Sequence, residues 1–330
     1  MSGGYWRNLS CPLRLARRRE GTRSVILPAV GRTSAEPGAG RRAHVALLAL
    51  AFVHAACAAN HVDAARSALR TNDLHTARTL LEADRERYPD SMDVRLTLGE
   101  VYYRSARDAL DWDDNQAGYL AYLEKSLNEL VRAAELEPKS PQPLFYLAMI
   151  DLYRGDIKAA QQGFRDTRKL GFGPIGDTNL AESYVYAGNL NEAFRWNEAG
   201  RQAGAGLGPV TYNEMLIAWS SGDLAAAHKS FEVLRVQYPE EIREFNVASV
   251  PGTPRSFEEF AGYCCATPAC GPYLEKSCEA LKLPVKHREV SKETLLEELR
   301  VKMEAQRKLQ EIYKQRKELE IEAKPEEPAK

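Results

Sequence analysis

The chain reads as an all-α array of about five helical hairpins, closed by a small cysteine-rich cap and a long charged helix. Three observations predict this. Gly155-Asp156, Gly188-Asn189 and Gly222-Asp223 recur at steps of 33 and 34 residues. Ala160, Ala193 and Ala227 follow at the same steps, with Phe164, Asn197 and Phe231 four residues further on. Directly after the last of these units, Cys264, Cys265, Cys270 and Cys278 fall within fifteen residues.

Each mark has a physical reading. Gly before Asp or Asn suits the left-handed turn between paired antiparallel helices. A small residue such as Ala lets the two helices of a unit approach closely, and a large one fills the groove between units. An A-x3-F pair in a period near 34, preceded by a turn, resembles the tetratricopeptide repeat (TPR), whose unit is a pair of antiparallel helices. The same register places Asn72, Ala77, Leu81 and Pro89 in a first repeat. A second repeat holds Leu98-Gly99, Tyr102, Ala133 and Pro138, with about fifteen extra residues around 107–121, and Pro239 closes the fifth. Two positions depart from the pattern: Asp84 where Ala is usual, and Asn197 where an aromatic ring is usual.

The resemblance implies an α-solenoid of about five TPR-like hairpins over residues 57–240, with an insertion near 107–121. It also implies a working surface, the concave groove lined by the first helix of each unit. In this chain those positions are Tyr103, Phe145, Tyr146, Met149, Tyr153, Asn179, Glu182, Tyr186, Tyr212 and Asn213. Rings and amides of this kind suit an extended peptide or a helix of another protein. Several of these rings also have the size to pack between repeats. A clamp of Lys, Arg and Asn for a terminal carboxylate is not matched, because its cationic members are missing.

A Cys-rich helical cap is expected over 241–284. A helix opens after Pro239 and is stopped by Pro251-Gly252-Thr253-Pro254. Ser256-Phe257-Glu258-Glu259 reads as a capping box opening a short helix to about Cys265, and a second follows from about Pro272 to Leu283. In an oxidising compartment Cys264, Cys265, Cys270 and Cys278 read as two disulfides. Adjacent pairing would be strained, which leaves 264–270 with 265–278, or 264–278 with 265–270. A zinc site is the rival reading, but the usual C-x2-C pairs are absent. Residues 285–324 form a charged region whose helix opens near Ser291. Its thin apolar stripe is Leu295, Leu299, Met303, Leu309, Ile312 and Leu319, and its Glu and Lys/Arg side chains alternate at i, i+4. The tail 325–330 is expected to be disordered.

Residues 1–56 read as an address. The formal net charge of −1 hides nine Arg and two Glu in residues 1–44, a local +7 set against −8 for the remainder. A body this acidic is a poor binder of a polyphosphate backbone, which argues against nucleic acid. Ala43 to Val53 is an uncharged apolar run behind Arg41-Arg42, too short to cross a bilayer. A basic flank, a short apolar core and small residues are the layout of a signal peptide. His54-Ala55-Ala56-Cys57 resembles the lipobox of bacterial lipoproteins, with His54 where Leu is usual. That resemblance implies lipidation at Cys57 and a tether to a bacterial envelope membrane facing the periplasm. Cleavage near Ala56 without lipidation, translation from a downstream start such as Val30, and a mitochondrial transit peptide are the alternatives.

Catalytic signatures are weak. Gly171-Phe172-Gly173-Pro174-Ile175-Gly176 spells G-x-G-x-x-G, but it joins two helical repeats and carries a Pro. Asp111-Trp112-Asp113-Asp114-Asn115 starts like a calcium loop, yet Gln116 and Tyr122 stand where Gly and Glu are needed. It is expected to be a solvated loop. The sequence predicts no catalytic residue, no metal site, no cofactor and no small-molecule substrate. It points to a non-catalytic scaffold or assembly factor that binds other proteins and is held to a membrane by a lipid anchor. A structural or metal-binding module centred on the four-Cys cap, or an intracellular or mitochondrial adaptor, are the other readings.

Overall fold

A computed structural model describes residues 61–111, 113–243, 253–267 and 270–322. The signal segment, Cys57 and the tail 325–330 lie outside them. Among the described residues every regular element is helical. Five hairpins follow one another: α1 (61–70) with α2 (Leu74–Arg87), α3 (Met92–Asp111) with α4 (Gln116–Leu136), and α5 (Gln142–Arg154) with α6 (Ile157–Lys169). The last two are α7 (Gly173–Tyr186) with α8 (Leu190–Gln202), and α9 (Leu207–Ser221) with α10 (Leu224–Gln237). This is an α-solenoid of TPR-like hairpins.

The repeated marks act at the turns. Gly155, Gly188 and Gly222 take φ of 84°, 71° and 83°, and Asn72 takes the equivalent place at 55°. The next residue then caps the second helix: Asp73, Asp156, Asn189 and Asp223 accept hydrogen bonds from the amides of Thr76, Ala159, Glu192 and Ala226. Such a cap contributes about 1 kcal/mol. Ala77, Ala160, Ala193 and Ala227, with Leu81, Phe164 and Phe231, are fully buried between helices.

The two departures from the pattern are buried polar contacts. Asp84 is fully enclosed, and its carboxylate lies 2.7 Å from Nδ1 of His61 on α1. Asn197 donates to the carbonyl of Val210 at 3.0 Å and accepts from Asn213 at 3.1 Å. The second hydrogen of Asn213 goes to the carbonyl of Thr178 at 2.8 Å, so one amide ladder ties α7, α8 and α9.

The insertion is mostly helix. It lengthens both helices of the second hairpin, to 20 and 21 residues, where the described array helices after α1 otherwise have 13 to 15. These long helices pack closely at Gly99, where an added Cβ would lie 2.9 Å from Leu130. Of the stretch expected to be a solvated loop, Asp113, Asp114 and Asn115 are exposed between the two helices, whereas Asp111 is buried at the end of α3.

After α11 (Pro239–Arg243) the cap begins with α12 (Phe257–Cys265), which Ser256 caps through the amide of Glu259. A 3-10 turn at Gly271–Tyr273 and α13 (Glu275–Ala280) stand where one short helix was expected. Cys264 joins Cys270, and Cys265 joins Cys278, with Cα separations of 5.1 and 5.9 Å. The four cysteines thus lie in two pairs at disulfide distance. The cap packs on α9 and α10 through Phe257, Phe260, Trp219 and Phe231.

The C-terminal segment then turns back along the array. Tyr273 packs at a tilt on Tyr186, with ring centroids 5.0 Å apart. Residues 281–291 are an irregular strap, and α14 (Lys292–Glu322) follows. Near its start α14 meets the start of α4, where Gln116 accepts from Ser291 and Thr294. Near its end the Tyr313 hydroxyl donates to Ser140 beyond the end of α4. It therefore runs parallel to α4 and buries Val301, Ala305 and Leu309 against α4 and α5.

This matches the expected stripe only at Leu309 and Ile312, which pack on the core. Leu295, Leu299 and Met303 are exposed, and Leu319 lies outside the described side chains. The buried face instead includes Glu298 and Lys302, whose charges find partners on the array. Glu298 pairs with Arg154 and Arg288, and Lys302 pairs with Asp151. A charged face is tolerated in the interior when each charge meets its opposite.

Candidate functional site: an aromatic groove on the first helices

The first helices α3, α5, α7 and α9 turn one face each toward a common cavity of about 340 Å³. Tyr103, Phe145, Tyr146, Met149, Tyr153, Asn179, Glu182, Tyr186, Tyr212 and Asn213 all line it. The repeat register is what brings them together, because each occupies a related position on successive first helices. Tyr103, Tyr153, Tyr212 and Asn213 are buried and form the floor; Phe145, Tyr146, Met149, Asn179, Glu182 and Tyr186 are half-buried and form the walls.

Sequence reasoning missed Glu100, Arg104 and Arg107, which also line the cavity. A helical face running through Tyr103 includes all three at spacings of three and four, and that periodicity was the available signal. Arg104 donates to Glu100 at 2.8 Å and to the carbonyl of Leu69. Glu100 also accepts from the Tyr146 hydroxyl. Arg107 lies over the rings of Tyr103 and Tyr153, 5.8 and 5.4 Å from their centroids. The groove is therefore not devoid of cations, but its guanidinium groups are engaged with groups of the array itself.

The polar groups of the groove face inward. The hydroxyls of Tyr103, Tyr153 and Tyr186 donate to the Met149 carbonyl, to Asp111 and to Glu182. Burial pushes the Tyr153 and Tyr186 hydroxyls well above the usual phenol range, so they stay neutral donors. Asn179 donates to the Ile175 carbonyl on its own helix. The groove is lined by ring faces, a thioether, the carboxylates of Glu100, Glu182 and Glu241, and the guanidinium groups of Arg104 and Arg107.

Tyr153 connects this surface to the strap. Its ring lies between Arg107 and Arg288, the latter 5.8 Å from the centroid. Arg288 in turn donates to Tyr119 at 2.8 Å and to Glu298 at 2.6 Å. Lys286 reaches the Asp111 carbonyl at 2.7 Å and the Asp114 carboxylate at 3.2 Å. The calcium-like stretch is thus where the strap docks. Burial raises the Asp111 carboxyl, and raises Asp108 to about 6, with Arg107 opposing the shift.

The G-x-G-x-x-G stretch is the join between α6 and α7, with Gly171 at φ 93° and Gly173 opening α7. It follows a helix, so the strand that a dinucleotide fingerprint needs is not there. Among the described residues no cluster of three or more His, Cys, Asp or Glu has metal-holding geometry, and no helix is long and apolar enough to cross a membrane.

No family profile matches the chain, and no curated relative matches it in sequence. Among solved structures the chain is similar to one described as "Functional Characterization of Pseudomonas Aeruginosa pilF", at 18% identity and a TM-score of 0.30, over 57% of this chain and 96% of that one.

Proposed function

We propose that the protein is a non-catalytic scaffold that binds a segment of another protein in the groove of its first helices. The observation that supports this most is the convergence of ten side chains, from four successive repeats, on a single cavity. Six of them stay half-exposed. Rings at the surface of a preformed groove are the usual substance of protein recognition, because they supply contact area at low entropic cost.

The setting we infer is a bacterial envelope, with the chain exported and held to a membrane through a lipidated Cys57. The lipobox-like His54-Ala55-Ala56-Cys57 and the disulfides of the cap support that reading. Intact mass of membrane-fraction protein made in a bacterium tests it. A mass beginning at Cys57 with added acyl chains is expected; a soluble product retaining residues before Ala43 overturns the tether. The groove is tested in the same cells with a photo-reactive residue at Ile175, on the lip of the cavity, or at Val236 on α10. A discrete cross-linked partner from position 175 and none from 236 is expected. The same product from both positions contradicts a groove-based function.

A further inference from the structure

We propose that the outward face of α14, with the trough beside it, docks an amphipathic helix of another protein that carries acidic residues along one edge. This surface shares no lining residue with the groove of the first helices, and the inference does not rest on that groove.

The starting point is apolar surface left uncovered. Among the described residues eight large apolar side chains are exposed, and four of them, Leu295, Leu296, Leu299 and Met303, fall within nine residues of α14. Single exposed apolar residues are ordinary, whereas a cluster on one helix marks a contact surface. Their spacing is that of a coiled-coil seam. Written as heptads, Leu296 and Met303 take the first apolar position and Leu299 the second, and Gln306 and Gln310 continue the two positions over the next turns. Val301, Ala305 and Leu309 hold a different side of the helix against the array.

The seam runs into a trough of about 810 Å³. Gln306, Gln310 and Tyr313 form one wall, Ala159 and Gly163 of α6 face them, and Leu144, Leu147 and Ala148 of α5 lie between. Small residues give it depth: a Cβ added at Gly163 would lie 2.7 Å from that of Ala148. The helix α14 is antiparallel to α5, because Glu298 meets Arg154 and Lys302 meets Asp151. As the hairpin partner of α5, α6 is antiparallel to it too, so α6 and α14 run the same way on either side of the trough. Two helical ridges over an apolar floor are a setting in which a further helix packs.

Charge selects among helices. Beside the seam Arg300, Arg307 and Lys314 recur at steps of seven, and Glu297, Glu304 and Glu311 recur likewise on the far side of them. The order across the surface is therefore apolar, cationic, anionic. Both arginines pair with these glutamates along the helix, but each of the side chains is at least 45% exposed. Exposed pairs of this kind contribute little, and a guanidinium has five N–H donors, enough to meet a carboxylate on each side. The lane that borders a seam sets the choice of partner. A helix with Glu or Asp along its facing edge meets opposite charge along the whole contact. A second copy of α14 laid antiparallel would set the cationic lane against itself. A parallel copy would set it against the edge of Leu295, Lys302 and Leu309, which offers no carboxylate. A flat lipid surface would leave the trough unfilled.

The test is fluorescence polarisation on the purified full chain in phosphatidylcholine nanodiscs, with protein-free nanodiscs as background. The probes are labelled three-heptad peptides with Leu at both seam positions and flanks of either Glu or Lys. The Glu peptide is expected to bind about tenfold or more tightly than the Lys peptide. Arg300→Glu with Arg307→Glu should reverse that order, and Leu299→Gln with Met303→Gln should abolish binding of the Glu peptide. All four positions are exposed, so the fold is kept. Equal binding of the two peptides, an order that charge reversal leaves unchanged, or no binding of the Glu peptide overturns the inference. Ile175→Trp, at the lip of the first-helix groove, should leave the affinity within about twofold; loss of binding there would put the peptide in that groove and overturn the docking site. A photo-reactive residue at Met303 reports the rival occupants in nanodiscs that also hold phosphatidylglycerol. Cross-links to the Glu peptide are expected, whereas cross-links to a second copy or to lipid that the peptide does not displace overturn the inference.

Discussion

The hydroxyl of Tyr153 donates to a carboxylate oxygen of Asp111 at 2.7 Å, deep inside the molecule. The ring of Tyr153 belongs to the groove, and Asp111 closes the helix on which the strap lands. One hydrogen bond therefore joins the groove to the helix end on which the returning segment docks. Replacing Tyr153 by Phe keeps the ring and removes the donor, leaving a buried carboxylate short of a partner. A loss of about 1–3 kcal/mol is expected by urea denaturation. Hydrogen exchange should rise in residues 281–291 more than in α10, because Lys286 of that segment docks on the carbonyl of Asp111.

The pairing of Glu298 with Arg154 and Arg288 should hold α14 in place. All three side chains are enclosed, and Glu298 is fully buried. Burial draws the Arg154 pKa below its ordinary value, which shows how costly an unmatched charge would be there. Glu298→Gln leaves two guanidinium groups facing a neutral amide. Loss of one member of such a network costs about 3–5 kcal/mol, so the midpoint of thermal unfolding should fall clearly. An exposed pair, Glu297 with Arg300, gives the control: Glu297→Gln should change stability by less than about 1 kcal/mol.

Much of this was legible in sequence, and the reason is locality. The turn, the cap one residue later and the small residue four beyond that are all set within one hairpin. Repetition multiplies the signal, which is why the register also delivered ten groove residues. The strap was not legible. Lys286 and Asp111 lie far apart in sequence, and nothing local marks them as neighbours. Glu298 and Lys302 read as part of a solvated charged face, because an i, i+4 alternation looks the same whether its charges meet water or a buried Arg154 and Asp151. The choice of disulfide pairing also waited on the fold, since both arrangements close short loops.

Two turn glycines should respond differently to alanine. Gly155 and Gly222 both sit at positive φ, where a Cβ costs about 1 kcal/mol. Around Gly222 nothing lies within 4 Å of the added atom, whereas at Gly155 it would meet the Tyr273 hydroxyl at 2.5 Å. Gly155→Ala is therefore expected to cost more than Gly222→Ala. In a Tyr273→Phe background the difference should shrink. Equal costs in calorimetry would mean that the cap does not rest on this turn.

Asp108 gives a pH dependence with a defined sign. Its folded-state value near 6 exceeds that of an exposed Asp, about 3.9, because burial disfavours the charged form. Between those values the folded state binds the proton more tightly than the unfolded chain. The stabilising contribution of the protonated form is full below about pH 4 and is lost as pH rises through 6. Asp108→Asn should therefore stabilise the protein at pH 7, by on the order of 1–2 kcal/mol, and by little at pH 4. Parallel stability curves for the two proteins across that range would contradict this.

The groove carries the functional reading, and its most direct test is affinity after selection. Random dodecapeptides would be selected on the purified full chain, and the enriched sequences titrated against the unmodified protein, Met149→Trp, Ile175→Trp and Val236→Trp. A working groove predicts at least tenfold weaker binding to the first two variants and binding within about twofold for Val236→Trp, which lies on α10. Enriched peptides that bind all four proteins equally would show that the aromatic surface of α3, α5, α7 and α9 is not where this protein holds its partner.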